Sequence, residues 1–347
     1  MEKRIPHLDY LRGLAALGIM IYHYISWSFG LENSNNVLCR FGIYGVSIFY
    51  ILSGVTLYLV NFNKHLRGLE LRNFIVKRIA RIMPLLWLVI IITLFTSVKH
   101  FDWKVILMNI TGTFGFVSPN SYIAGGSWSI GNELVFYFIF PFLLFITKLS
   151  RIVILFTLIC FLSVHTFFGF YFIDLKAVFT KNWDYYVNPF NQVFFFVIGV
   201  FGAKFLNNVK ISSHVSLIGI VVSLLIFGFL PTSNKNELIF GFHRFVFTLA
   251  CLLLVFSFYK SKFELKGIVN KLLLWFGEIS YSLYLLHPIV WYACKRIFKM
   301  ISFLHENMLL QIFVSAILTF MVSHIIYKFY ELKVLVFLKN KFLKGLI

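Results

Sequence analysis

Long apolar runs repeat along the whole chain, and they limit its possible folds more than any other feature of the sequence. A helix needs about 20 apolar residues to cross the ~30 Å hydrocarbon core of a bilayer. Runs of this length lie near residues 10–29, 41–62, 79–98, 129–148, 152–172, 188–206, 214–230, 242–259, 276–294 and 309–330. The chain is 60% hydrophobic, well above ordinary soluble domains. The sequence therefore predicts an all-α polytopic membrane protein with about ten transmembrane helices.

The formal net charge of +19 would suit a nucleic-acid-binding protein, but the positions of the charges favour another explanation. Most of the 32 Lys and Arg residues fall in segments that face the cytoplasm if the N-terminus is cytoplasmic. Cytoplasmic loops of membrane proteins carry this excess. Lys295, Arg296 and Lys299 are the main exception. We therefore predict that both termini are cytoplasmic and that the chain contacts a lipid bilayer and no nucleic acid.

The segments between the apolar runs give no sign of a second domain. They contain no Pro/Ser-rich linker, no low-complexity tract and no fixed-period repeat, so residues 1–347 are predicted to form one transmembrane domain. The four cysteines are scattered without CxxC or metal-ligand spacing, so neither a disulfide framework nor a metal site is expected. Function is then expected among ionisable groups within the helices.

The first functional pattern is "RGLAALGIMIYH", which places Arg12 and His23 in one apolar run. A separation of eleven residues is about three helical turns, so both side chains lie on one face, roughly 16 Å apart. A neutral imidazole inside the membrane could act as a general base. The alternative is a structural histidine bonded to another helix, with Arg12 extending towards lipid phosphates.

The second pattern is "KRIARIMPLLWL", in which Arg78 and Arg81 open the third run from the cytoplasmic side and share a helical face. Guanidinium groups at a helix N-terminus oppose the helix dipole, an arrangement that favours a bound anion. A phosphorylated cofactor at the cytoplasmic face is one interpretation. Anchoring to lipid headgroups is the other.

The third pattern is "GGSWSIGNELVFY", which contains Ser127, Ser129, Glu133 and Tyr137 at the start of the fourth run. Helix capping alone could account for an acidic residue here. Glu133 is nevertheless one of very few acids near a predicted span. A carboxylate that orients an imidazole or binds a substrate hydroxyl is a common requirement of acyl transfer, and His23 is expected at a similar depth.

The fourth pattern is "GEISYSLYLLHP", whose residues Ser280, Tyr284 and His287 share one helical face. They could line a polar cavity and bind substrate. Pro288 also frees a backbone carbonyl, so polar side chains could gather there in a purely structural role.

Small residues in the second run have a different interpretation. Gly42, Gly45, Ser53 and Gly54 stand among bulky side chains, which predicts close helix packing. No Gly-rich phosphate loop, HExxH motif or GxSxG elbow occurs, so a soluble-type hydrolase or metalloprotease has no support.

Together, five segments resemble the acyltransferase-3 family of integral membrane acyltransferases, in the family's order and over about residues 8–331. They are "LDYLRGLAALGIMIYH", "GVSIFYILSG", "RIARIMPLLW", "SWSIGNELVFY" and "ISYSLYLLHP". The family's C-terminal E-[KR]-P reads "YELKVL" here, so the resemblance assigns no role to Glu331. No SGNH-type or other soluble domain follows the last run, so the membrane domain is expected to finish the reaction or pass the acyl group on.

The resemblance implies a ten-helix domain that carries an acyl group, usually acetyl, from cytoplasmic acyl-CoA to a hydroxyl at the outer face. It implies donor handling by Arg12, Arg78 and Arg81 and catalysis by His23 and Glu133. Ser127, Ser129, Tyr137, Tyr284 and His287 are the candidate substrate-binding residues. Either serine could also accept the acyl group, so direct transfer and an acyl-enzyme both stay open. No metal is expected.

The expected acceptor is a bacterial surface glycan such as O-antigen or capsular polysaccharide, modified at the bacterial inner membrane. Lipid-linked oligosaccharides, peptidoglycan, a secreted lipo-oligosaccharide and a small secondary metabolite are alternatives. Acetyl is preferred over a longer acyl group without excluding it. Two other classes of protein compete: a proton-coupled exporter of a sugar or lipid-linked intermediate, and a noncatalytic scaffold or sensor.

Overall fold

The computed structural model describes residues 5–30 and 33–343, and it is 81% helical with no β-strand in those residues. Ten helices of at least 17 residues lie in this part of the chain. They are α1 (Pro6–Phe29), α2 (Val37–Asn61), α3 (Gly68–Thr96), α4 (Trp128–Ile146), α5 (Arg151–Phe167), α6 (Pro189–Leu206), α7 (Ser213–Phe229), α8 (Gly241–Lys260), α9 (Gly267–Phe298) and α10 (Met308–Ile326). Each coincides with one of the predicted runs.

Two long helices end in a π-helical turn. The turn Phe168–Phe172 extends α5, and the turn Tyr327–Glu331 joins α10 to a further helix, α11 (Leu332–Leu343). Short helices at Trp103–Thr111 and Phe114–Val117 occupy the connection between α3 and α4.

Seven helical segments are long and apolar enough to cross a membrane, by length and composition. They are α2, α3, α4, α6, α8 and the two extended segments, Arg151–Phe172 and Met308–Phe342. The all-α polytopic fold is therefore confirmed. The count of ten spans stays a prediction, because α7 is shorter and α1 and α9 carry more polar side chains. The terminal residues 1–4 and 344–347 lie outside the described residues, so the cytoplasmic position of both ends also stays a prediction.

Helices α1 and α9 pack side by side in the same direction. Tyr10 donates a hydrogen bond to Asn270 near one end of the pair, and His23 meets His287 near the other. The contact is close because two glycines face each other: a Cβ on Gly13 would lie 2.7 Å from the backbone nitrogen of Gly277. Small residues allow this approach in membrane helices. Helices that cross a membrane one after another alternate in direction, so the first and ninth helices are expected to run the same way, as they do here.

Helices α2 and α6 form a second parallel pair. A Cβ on Gly54 would lie 2.3 Å from the Phe196 carbonyl oxygen, and one on Gly199 would lie 2.4 Å from the Ile51 carbonyl oxygen. Gly42 and Gly45 meet side chains of α1 equally closely. The predicted packing role of these α2 glycines is confirmed.

Two buried arginines hold the bundle together without a carboxylate partner among the described residues. Arg40, 1% exposed, donates to the Phe227 carbonyl oxygen at 2.8 Å and so ties α2 to the end of α7. Arg244, 4% exposed, donates through Nε to His165 at 3.0 Å and through Nη2 to the Asn191 carbonyl oxygen at 3.1 Å. It therefore joins α8 to α5 and α6. Neither arginine was singled out by the sequence patterns.

Candidate active site

A cavity of about 240 Å³ lies between α1, α2, α3, α4 and α9. Its polar lining consists of Arg12, Tyr50, Ser53, Thr56, Arg78, Arg81, Ser129, Glu133, Tyr137, Ser280, Tyr281 and Tyr284. Seven of the candidate site residues are thus brought together from four helices that are far apart in sequence. Ser127, His23 and His287 do not line this cavity.

The arginines form the cationic part of the cavity wall. Arg12 pairs with Asp9, one helical turn earlier, at 3.1 Å. The guanidinium carbon of Arg78 lies 5.9 Å from the ring centre of Phe74 and 5.7 Å from that of Tyr137. The Nε of Arg78 is buried and has no hydrogen-bond partner among the described residues. A buried, unsatisfied guanidinium N–H is costly, and an anion such as a phosphate group would satisfy it.

Glu133 faces the arginines from α4. Its carboxylate accepts a hydrogen bond from Ser53 Oγ at 3.2 Å and another from the hydroxyl of Tyr137, one turn further along the same helix. The sequence interpretation of Ser53 as a packing residue was therefore wrong: its hydroxyl points into the cavity and holds Glu133. A small polar residue among packing glycines gave no signal that could separate the two roles.

His23 meets His287 rather than Glu133. His23 Nδ1 lies 2.8 Å from His287 Nε2, and the two rings lie nearly coplanar, edge to edge, with centroids 5.0 Å apart. Trp27 stacks on His23, also at 5.0 Å. The recorded hydrogen bonds of Glu133 go to Ser53 and Tyr137, so the partner that orients the His23 ring is another imidazole.

The hydrogen-bond partners of His287 determine which nitrogen of each neutral ring carries the proton. His287 Nδ1 lies 3.3 Å from the Leu283 carbonyl oxygen and also interacts with the Tyr284 carbonyl, whose helical donor is missing because Pro288 has no N–H. A carbonyl oxygen only accepts, so His287 Nδ1 donates and His287 Nε2 accepts from His23 Nδ1. His23 Nε2 then carries a free lone pair. This is the state that a general base requires.

Tyr284 connects the cavity with the imidazole pair. Its hydroxyl lines the cavity, accepts from Ser129 Oγ at 2.9 Å and donates to the Gly126 carbonyl oxygen at 3.0 Å. Its ring centroid lies 6.0 Å from that of His287. Ser127 is fully buried and donates to the Ala124 carbonyl oxygen at 2.7 Å, so its hydroxyl supports the turn before α4.

Tyr281 and Glu331, which lie at or near the cavity, were also not among the candidates. Tyr281 lines the wall and donates to the Ile82 carbonyl oxygen at 2.7 Å. Glu331, to which the resemblance assigned no role, is 9% exposed, accepts from Ser282 Oγ at 2.7 Å and interacts electrostatically with Arg81. The only sequence signal for Glu331 was an acid at the end of the last apolar run.

Within residues 5–30 and 33–343, no group of three or more His, Cys, Asp or Glu side chains is arranged to hold a metal ion.

Comparisons with known proteins identify relatives of this chain. The peptidoglycan O-acetyltransferase OatA of Listeria monocytogenes is 29% identical over 173 residues, which are 42% of this chain and 25% of that protein. The O-acetyltransferase OatA of Staphylococcus aureus is 25% identical over 319 residues, which are 82% of this chain and 50% of that protein. The chain thus spans about half the length of the S. aureus relative, and its match covers a quarter of the Listeria relative. No solved structure gives a significant match.

The family model matches a much larger part of the chain than the Listeria relative does. The acyltransferase domain model of the acyltransferase-3 family matches residues 5–328, from the start of α1 to the turn after α10. That range contains the cavity, the imidazole pair and every candidate site residue. The chain belongs to the acyltransferase-3 family of membrane acyltransferases.

Proposed function

We propose that this protein transfers an acetyl group from acetyl-CoA at the cytoplasmic side of a bacterial inner membrane to a hydroxyl of a surface glycan. The main support for the proposal is that one side chain belongs both to the cavity and to the surroundings of the imidazole pair. Tyr284 belongs both to the arginine-lined cavity and to the surroundings of the His23–His287 pair. A donor held by the arginines could therefore present its acyl end towards the imidazoles.

The cavity suits one part of the donor. Its volume of about 240 Å³ is below the ~300–1,000 Å³ of pockets that enclose whole drug-sized ligands. The acyl-bearing pantetheine arm would enter it, and the nucleotide end would stay at the mouth. Arg12, Arg78 and Arg81 would hold the phosphate groups, and the unpartnered Nε of Arg78 supports this assignment.

The proposed chemistry uses His23 as the base. His23 Nε2 takes the proton of the acceptor hydroxyl while the hydroxyl oxygen attacks the thioester carbonyl carbon. The carbon–sulfur bond breaks, and the proton passes to the departing thiolate, which gives free coenzyme A and the glycan ester. We assign Glu133, held by Ser53 and Tyr137, to contact with the substrates. Transfer through an acylated Ser129 would give the same products.

The proposed acceptor is a cell-surface glycan. O-antigen or capsular polysaccharide follows from the sequence interpretation, and the name of the Listeria relative adds peptidoglycan as a second candidate. A lipid-linked oligosaccharide that carries either repeat unit is an acceptor of the same chemistry.

Radiolabelled acetyl-CoA tests the proposal directly. Purified full chain in liposomes is incubated with the label and, separately, with O-antigen, capsular and peptidoglycan acceptors. We expect label in one glycan and stoichiometric free coenzyme A with the wild type, and neither with His23→Ala. Label on the denatured protein would identify an acyl-enzyme, and its loss in Ser129→Ala would identify the serine.

The competing exporter predicts a different result. It would move the glycan across the liposome membrane without covalent change and without consuming acetyl-CoA. Folded wild type that neither consumes acetyl-CoA nor labels any acceptor, across acetyl and longer acyl donors, would refute the acyltransferase proposal.

A further inference from the structure

The C-terminal helix α11 brings an additional cation towards Arg78 and Arg81, which line the cavity. The π-helical turn before it is anchored at two points: Tyr330 donates to the Pro84 carbonyl oxygen at 3.1 Å, and Glu331 accepts from Ser282 at 2.7 Å. From there α11 packs along α3, and the two helices are antiparallel because Tyr330 meets Pro84 whereas the later Lys339 lies near the earlier Lys77. Lys339 consequently comes within electrostatic range of Lys77, Arg78 and Arg81.

The other lysines of α11 have different surroundings. The ammonium group of Lys333 lies 5.5 Å from the ring centre of Phe329, and that of Lys341 lies 5.9 Å from the ring centre of Phe337. Every charged group recorded near Lys339 among the described residues is a cation. Lys341 therefore offers a matched control on the same helix.

Glu133 lies near Arg78 and Glu331 near Arg81, but Lys77 and Lys339 add two more positive charges to the same pair of arginines. Such an excess of positive charge is repulsive unless a further anion balances it. No carboxylate among the described residues forms an ion pair with Lys77, Arg78, Arg81 or Lys339. The buried, unpartnered Nε of Arg78 is an independent sign of a missing anionic partner at the same place. Since the cavity is too small for a whole donor, the phosphate-bearing end of that donor is the group that would reach this mouth.

We propose that Lys339, together with Lys77, forms a phosphate-binding subsite at the mouth of the cavity that takes the nucleotide end of the acyl-CoA donor. The subsite extends the Arg78–Arg81 pair, and it rests on the proposed function. It lies on a helix beyond residue 328, where the match to the family model ends. Lipid headgroups carry the same phosphate chemistry, so the experiment has to separate the two sources.

Truncated donors make this separation possible. We would measure kcat and KM with S-acetyl-CoA, S-acetyl-dephospho-CoA and S-acetyl-pantetheine, the last of which has no phosphate. The proteins are full-length wild type, Lys339→Gln, Lys339→Arg and the control Lys341→Gln. Each is assayed in phosphatidylcholine liposomes with and without anionic phosphatidylglycerol.

We expect Lys339→Gln to raise the KM for S-acetyl-CoA about two- to fivefold, as suits an ion pair that stays partly in contact with solvent, with kcat unchanged. Its KM for S-acetyl-pantetheine stays at the wild-type value. Lys339→Arg and Lys341→Gln behave as wild type with every donor. S-acetyl-dephospho-CoA shows whether the diphosphate or the 3′-phosphate is the group bound.

Three results would overturn the inference. The KM for S-acetyl-CoA could stay unchanged, it could rise equally for S-acetyl-pantetheine, or the effect could appear only with phosphatidylglycerol, which would assign the subsite to lipid. Wild type that fails to use S-acetyl-CoA at all would refute the proposed function instead, so the two failures are distinct.

Discussion

The side chains of His23 and His287 form a nearly coplanar, hydrogen-bonded pair, with Nδ1 of the first 2.8 Å from Nε2 of the second and their ring planes within 9°. The pair exists because α1 and α9 approach closely through Gly13 and Gly277. It leaves the other nitrogen of His23 free to take a proton. Catalysis, on the proposed function, therefore depends on a residue that need not touch either substrate.

The first prediction concerns His287 as a positioning residue. His287→Leu removes the acceptor for His23 Nδ1, so kcat should fall about 10- to 100-fold, less than the ~10²–10⁴-fold that a general base itself supplies. The KM for acetyl-CoA should stay within about twofold. His287→Gln retains a side-chain carbonyl acceptor and should recover much of the kcat. Equal activity of the two variants in the radiolabel assay would contradict the orienting role.

The second prediction concerns the hydrogen bonds to Glu133. Glu133→Gln removes the negative charge beside three arginines and should lower kcat/KM by at least about tenfold. Ser53→Ala removes one neutral donor and should lower it about two- to tenfold. If the two groups act together, the double variant should resemble Glu133→Gln alone in a double-mutant cycle. Fully additive losses would show that Ser53 acts independently of Glu133.

The third prediction compares two glycines of α1. Gly13→Ala places a Cβ 2.7 Å from the backbone of Gly277, so we expect it to destabilise the bundle by about 1–3 kcal/mol and to lower activity. Gly18→Ala meets nothing within 4 Å and should be neutral or slightly stabilising. Thermal unfolding in detergent, followed by loss of the monodisperse peak, measures both. Equal melting temperatures would refute the close α1–α9 contact.

The fourth prediction contrasts Arg78, which lines the cavity, with the buried Arg244. Arg78→Gln should raise the KM for acetyl-CoA by about tenfold and lower the melting temperature less than Arg244→Gln does, because Arg78 loses mainly its contacts with the Phe74 and Tyr137 rings and its Nε has no hydrogen-bond partner among the described residues. Arg244→Gln should lower the melting temperature, because His165 and the Asn191 carbonyl lose their donor, at about 1–3 kcal/mol. The KM of the remaining folded Arg244→Gln protein should be unchanged. If Arg244→Gln raised the KM and Arg78→Gln caused the larger fall in melting temperature, Arg244 would be the binding residue and Arg78 the structural one.

The helices were predictable because a bilayer leaves a chain few choices. Backbone groups in hydrocarbon must bond within their own segment, so apolar length alone locates the helices. Which residues share a face within one helix was equally predictable from the sequence. The spacing of Arg78 and Arg81, and the place of Glu133 four residues before Tyr137, follow from helical geometry and put these residues on the cavity wall.

Contacts between distant helices could not be predicted in the same way. His23 and His287 meet only because two glycines allow the crossing, and many small residues in the sequence could have served such a contact. Ser53 resembled its packing neighbours. In the sequence, Lys339 is like any other lysine after the last apolar run. Only the structure shows that the turn at Tyr327–Glu331 directs its helix back along α3.

The parallel pairing of the first and ninth helices also has a consequence for synthesis. His23 and His287 are 264 residues apart in the chain. Since chains are synthesised at about 5–20 residues per second, roughly 13–50 s pass between the synthesis of His23 and that of His287. A nascent chain would hold the donor-side arginines long before the base is oriented. Activity would therefore begin only when insertion is almost complete, and chains that end early would be inert.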